Sequence, residues 1–90
     1  MRKLDLSHRA VRFLEGLPPN QFRQVVTTIL RLLRDPFPHD SLALKGYPYH
    51  RVDIGEYRVI YRLEGDLLRV ALIGKRNDDD VYRQVAKIHR

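Results

Sequence analysis

The sequence predicts an α+β domain in which an N-terminal strand and two helices pack on an antiparallel β-sheet and a short C-terminal helix ends the chain. Three observations carry this. Apolar residues recur at helical spacing from Ala10 to Leu33, and two later runs, Tyr47 to Arg62 and Leu67 to Gly74, alternate between polar and apolar. The glycine-led pairs Gly55-Glu56 and Gly65-Asp66 punctuate that alternation as tight turns. With 90 residues and no linker or repeat, the chain reads as one domain spanning 1–90.

Lys3 to Leu6 form a short alternating run, and the Ser7 hydroxyl is placed to cap a helix beginning at His8. Ala10, Phe13, Leu14 and Leu17 mark its inner face. Gly16 and Pro18-Pro19 end it, and Pro19-Asn20 open the next helix, because proline is tolerated in a first turn. There Phe22, Val25, Val26, Ile29, Leu30 and Leu33 make one continuous stripe expected to face the core, and Asp35-Pro36 stops the helix. The stretch 36–46 reads as a surface connection with Leu42 and Leu44 tucked against the core.

The stretch YPYHRVDIGEYRVIYR, Tyr47 to Arg62, reads as a hairpin. A two-residue loop at Gly55-Glu56 sets Ile54 opposite Tyr57, Asp53 opposite Arg58, Arg51 opposite Ile60 and Tyr49 opposite Arg62. His50, Val52, Ile54, Tyr57, Val59, Tyr61 and Leu63 then share an apolar face, and the other face carries the arginines with Tyr49. A third strand from Leu67 to Gly74 extends both faces. Leu68, Val70 and Leu72 fall on the apolar one, while Arg69, Ala71 and Ile73 fall on the cationic one. Arg62 thereby meets Arg69, an unfavourable like-charge pair that is either splayed into solvent or part of an anion-binding surface.

Asn77 or Asp78 can cap the last helix, with Asp79 and Asp80 favoured by its N-terminal dipole and Val81, Val85 and Ile88 on its inner face. Capping accounts for those adjacent acids, and the four histidines lack ligand spacing, so no metal site is read here. Lys plus Arg number 17 against 11 acids, a formal charge of +6 that favours a polyanionic partner. The absence of cysteine excludes disulfides and thiolate metal sites and fits a reducing cytosol. No apolar run approaches transmembrane length, and MRKLDLSHR lacks the apolar core of a signal peptide. The expectation is a soluble cytoplasmic protein without a membrane partner.

The order of elements, together with LKGYPYHRVDIGEYRVIY and GKRNDDDVY, resembles the RelE/ParE superfamily of bacterial and archaeal toxins over nearly the whole chain. GEYRVIY marks the superfamily, and the pairing of GKR with VY points to its RelE side. That resemblance implies a RelE-like fold and a type II toxin-antitoxin toxin that cleaves messenger RNA in the ribosomal A site. Its partners would be a cognate antitoxin, the ribosome and mRNA, with operator DNA reached through the antitoxin complex; no cofactor is implied. Position by position, Arg58 matches the arginine contacting the scissile phosphate, Arg76 the one stabilising the transition state, and Tyr82 a tyrosine acting as base or positioning group. Arg51 matches the first of two strand lysines, and Asp53 stands where the second would be. Tyr49, Arg62, Arg69 and Lys75 complete an expected RNA-binding set.

The chemistry is coherent without metal. Attack of a ribose 2′-hydroxyl on the adjacent phosphate needs a base, stabilisation of phosphoryl charge and help for the leaving 5′-oxygen. Guanidinium groups bind phosphate oxygens bidentately and stay charged, so arginines clamp well and are poor bases. A tyrosine among cations is suited to accept a proton, because those cations favour the phenolate. Each residue also has a structural reading: Arg58 pairs across the hairpin with Asp53, Tyr82 packs beside Val85, and Arg76 is solvated. Two other functions stay open, a ParE-like inhibitor of DNA gyrase without enzymatic activity and a degenerate member that binds only its antitoxin and operator DNA.

Overall fold

The computed structural model describes residues 2–77 and 80–88. In chain order the elements are β1 (Lys3–Leu6), α1 (His8–Glu15), α2 (Pro19–Leu32), β2 (Leu42–Ala43), β3 (His50–Ile54), β4 (Tyr57–Glu64), β5 (Leu67–Lys75) and α3 (Asp80–Ile88). The strands form one five-stranded sheet of order β1-β5-β4-β3-β2. Three pairings are antiparallel, but β1 runs parallel to β5, so the sheet is mixed. A strand reached only through two helices can join the far edge in either sense, and local pattern does not choose between them. None of the described helices is long and apolar enough to cross a membrane.

The first hairpin folds in the register its turn dictates. Ile54 faces Tyr57 and Asp53 faces Arg58. Gly55 has φ +56°, and no other residue type among those described takes a positive φ, which places the left-handed conformation on the one residue lacking a Cβ. Ser7 caps α1 as expected, its hydroxyl accepting from the Ala10 N–H at 3.0 Å. That same hydroxyl donates to the Ala71 carbonyl at 2.5 Å, tying the start of α1 to β5.

Ala71 marks a departure from simple alternation. Tyr61 pairs with Val70 and Ile60 with Leu72, so Ala71 is an extra residue that bulges out of register on β5. Beyond it the parity inverts, and the expected faces of Leu72 and Ile73 are exchanged. Ile73 joins the core beneath α1 and α2 with Val52, Val59, Tyr61 and Val70, whereas Leu72 lies on the opposite face with Tyr49, Ile60 and Ala71. That opposite face is not an open cationic surface. Val81 and Val85 of α3 cover its middle, with Leu44 and Tyr47 packed alongside.

The α2 stripe is also split. Val25, Ile29 and Leu33 are buried, as is Leu32 off the stripe, but Phe22 and Leu30 point outward, Leu30 at 51% exposure. The stretch 36–46 contributes a two-residue strand, β2, and Leu42 there is exposed instead of tucked inward. Ile88, expected on the inner face of α3, is exposed as well. Asp78, one of the two expected capping residues, and Asp79, expected near the helix dipole, lie outside the described residues.

Tyr61 is fully buried, and its hydroxyl donates to the Pro36 carbonyl at 2.5 Å, pinning the connection after α2 to the sheet. Tyr61→Phe leaves that carbonyl without its partner and should cost about 1–3 kcal/mol in denaturant unfolding. Burial raises the Tyr61 pKa above its ordinary value. The unfolded chain ionises this phenol near pH 10, so its contribution is present below that pH and is lost as pH rises further. The alkaline loss of stability should accordingly be shallower in Tyr61→Phe than in the parent.

Candidate functional site

The turn at Gly55 fixes which side chains meet at the far end of the sheet. Asp53 and Arg58 are directly opposed on β3 and β4, and both project to the face that α3 covers. Arg58 donates from Nε to Asp53 Oδ1 at 2.6 Å and from Nη2 to Asp53 Oδ2 at 3.1 Å, a two-point pairing. Its Nη1 donates to the Tyr82 hydroxyl, and its Cζ lies 5.5 Å from the centroid of that ring. Arg51 Nη1 approaches Asp53 Oδ2 at 3.4 Å. The Arg58 side chain is only 12% exposed, so these partners, more than water, set its orientation.

Glycine again decides whether the group can assemble. Gly74 pairs with Arg58 across β4 and β5. A Cβ at position 74 would fall 2.5 Å from Val81 Cγ2. Only the missing side chain lets α3 settle onto β5 closely enough for Tyr82 to reach Arg58. Lys75 and Arg76 follow at the strand end, both exposed, with the Arg76 backbone N–H donating to the Glu56 carbonyl at 2.9 Å.

The electrostatics are those of one carboxylate among cations. The hydrogen bonds from Arg58 hold the Asp53 carboxyl below its ordinary pKa, and the charges of Arg58, Arg51 and Arg76 act in the same direction against the effect of burial. Asp53 in turn raises the pKa of Arg58. Three of the guanidinium's five N–H donors are thus engaged, and the side chain is a fixed cation.

Arg51, Arg58 and Tyr82 gather around Asp53, with Arg76 close enough for its charge to act there. Tyr49, Arg62 and Arg69 do not join them. Arg62 is four residues along β4 from Arg58, roughly 13 Å. It faces Arg69 as the register requires, and the like charges are resolved by acids: Arg62 pairs with Glu64, while Arg69 Nε lies 3.5 Å from both Glu64 and Asp5. The Arg62 guanidinium sits over the Tyr49 ring at 5.5 Å. Tyr49 itself is 6% exposed, packed in the second core, so its ring faces are not offered to a base. Sequence pattern placed Asp53 opposite Arg58 but gave no hint of Gly74, which lies inside an ordinary alternating strand.

Comparison with known proteins decides the lineage. Residues 4–80 match the family model described as the ParE toxin of type II toxin-antitoxin system, parDE. The chain belongs to the ParE toxin family. It is a toxin of a type II toxin-antitoxin system within the RelE/ParE superfamily. Its fold is that of solved RelE toxins. A mutant of the E. coli toxin RelE in the free state superposes with a TM-score of 0.82 at 21% identity, covering 99% of this chain and 98% of that one. The archaeal RelE-RelB complex from Pyrococcus horikoshii gives 0.74 at 23% identity, covering 83% and 94%. The intact E. coli RelBE complex gives 0.73 at 21%, covering 83% and 96%. No curated protein matches the toxin in sequence.

Proposed function

We propose that the toxin is a ribosome-dependent endoribonuclease that cleaves mRNA in the A site by metal-independent attack of a 2′-hydroxyl, so inhibiting translation. The observation that carries this reading is the Arg58 to Tyr82 contact across two elements, with Arg51 and Arg76 near it. On this reading Arg58 is the phosphate-binding group and Tyr82 the proton-transfer group, and their contact would let both reach the same phosphodiester. Arg58 and Arg76 would meet the charge that builds on the phosphoryl oxygens. Tyr82 would take the proton of the 2′-hydroxyl or orient it, and Arg51 and Lys75 would hold flanking phosphates. Arg62 and Arg69, already matched by acids, would contribute less to RNA binding. The structural neighbours crystallised with RelB support a cognate antitoxin as the partner. A cytoplasmic location, and operator DNA reached through the antitoxin complex, complete the proposal.

Primer extension on a defined mRNA in a purified translation mixture tests the reading. The parent protein should produce cuts within A-site codons only when ribosomes are present. Arg76→Ala should lower them by about a hundredfold and Tyr82→Phe by about tenfold or more. A second reading, a non-enzymatic ParE-like inhibitor of DNA gyrase, is favoured by Asp53 occupying two donors of Arg58. Growth arrest without RNA cuts, together with blocked gyrase supercoiling, would select it.

A further inference from the structure

A guanidinium has five N–H donors, and a two-oxygen acceptor can engage it through the Nε and Nη2 edge or across the two Nη nitrogens. In this chain Asp53 takes the first edge completely, and Tyr82 takes one donor of Nη1. What remains is one N–H on each Nη nitrogen. We infer that Asp53 is a positioning residue: it locks Arg58 by the Nε and Nη2 edge so that the scissile phosphate binds across the Nη nitrogens, beside the Tyr82 hydroxyl. The inference rests on the RNA-cleaving reading above.

Three facts favour orientation over proton transfer. Both Asp53 oxygens are occupied by arginine donors, one by Arg58 alone and the other by Arg58 and Arg51. The same donors, Arg58 foremost, hold the carboxyl pKa below its ordinary value, which makes it a weak base. Charge accounting also leaves room for substrate, since Arg51, Arg58 and Arg76 carry three positive charges against this one carboxylate. Without Asp53 those like charges would push apart, and the Arg58 guanidinium would no longer be held in one plane relative to Tyr82. A chain with aspartate at this position thus reaches a fixed arginine at the expense of some attraction for RNA.

The test is single-turnover cleavage of ribosome-bound mRNA over a range of toxin concentrations, yielding a maximal rate and a half-saturating concentration for the parent, Asp53→Asn and Asp53→Ala. Asparagine is nearly isosteric and keeps one acceptor, so it reports on orientation with the fold intact, as thermal melting would verify. The maximal rate should fall about tenfold in Asp53→Asn and about a hundredfold in Asp53→Ala. The half-saturating concentration should stay level or drop, because removing a negative charge strengthens attraction for RNA. An unchanged or increased maximal rate in Asp53→Asn overturns the inference and makes Asp53 a competitor of the phosphate. Parent protein that cuts no ribosome-bound mRNA overturns the RNA-cleaving reading and this inference with it. Parent protein that cuts no faster than Asp53→Asn overturns the inference alone.

Discussion

Arg58→Ala is expected to lower A-site cleavage by about 10²–10³-fold, the loss typical when a fixed donor to a developing oxyanion is removed. The variant should still fold, since Arg58 makes no part of either apolar core. Its effect on stability has a distinctive pH signature. In the parent, the depressed pKa of Asp53 contributes stability that is present above about 3.8, the ordinary value, and is lost as pH falls through the lower folded value. Removing Arg58 removes the largest cause of that depression. The difference in melting temperature between about pH 7 and about pH 2 should shrink in Arg58→Ala. Arg58→Lys separates the two roles. It restores a charge near Asp53 but cannot pair with both oxygens while also reaching Tyr82, so acid stability should return more fully than cleavage.

Gly74→Ala should be as damaging from a position that touches no substrate. The added Cβ meets Val81 Cγ2 at 2.5 Å, and Val81 is buried in the second core with Leu72 and Ile60. Overpacking of this kind costs about 1–3 kcal/mol, and the cheapest relief is for α3 to lift off β5. Lifting α3 carries Tyr82 away from Arg58. Gly74→Ala should therefore show a lowered melting temperature and a loss of cleavage at least as large as that of Tyr82→Phe. Adding Val81→Ala removes the clashing methyl, and the double variant should melt higher than the sum of the single effects predicts. Strict additivity would mean that the two residues do not meet.

Much of this architecture was legible in the residues. Ser7 announced the start of α1, and Gly55-Glu56 fixed the β3–β4 register that sets Asp53 against Arg58. Those features are local, and local chemistry decides them. What escaped was decided at longer range. The Ala71 bulge is invisible to a strict period of two, so Leu72 and Ile73 were read on each other's faces. On α2, Phe22 and Leu30 share the helical spacing of Val25 and Ile29, and only the width of the sheet beneath determines which rows are covered. The parallel sense of β1 and the two-residue β2 are likewise set by tertiary pairing. Within the candidate site, Asp53, Arg58 and Tyr82 carried a signal because they bear chemistry, whereas Gly74 carried none because it acts by having no side chain.

The parallel pairing of β1 with β5 has a consequence for the order in which the molecule can be made. Lys3 donates its backbone N–H to the Asp66 carbonyl, and the Ser7 hydroxyl donates to the Ala71 carbonyl, a contact separated by 64 residues. Synthesis is vectorial, so the N-terminal strand waits unpaired while α1 and α2 emerge, and loop closure follows only when β5 appears. The Arg58 to Tyr82 contact comes later still, when α3 has left the ribosome. A nascent chain is thus mostly built before it holds the Arg58 to Tyr82 geometry by which, on the proposed reading, it would cut messenger RNA in a ribosome.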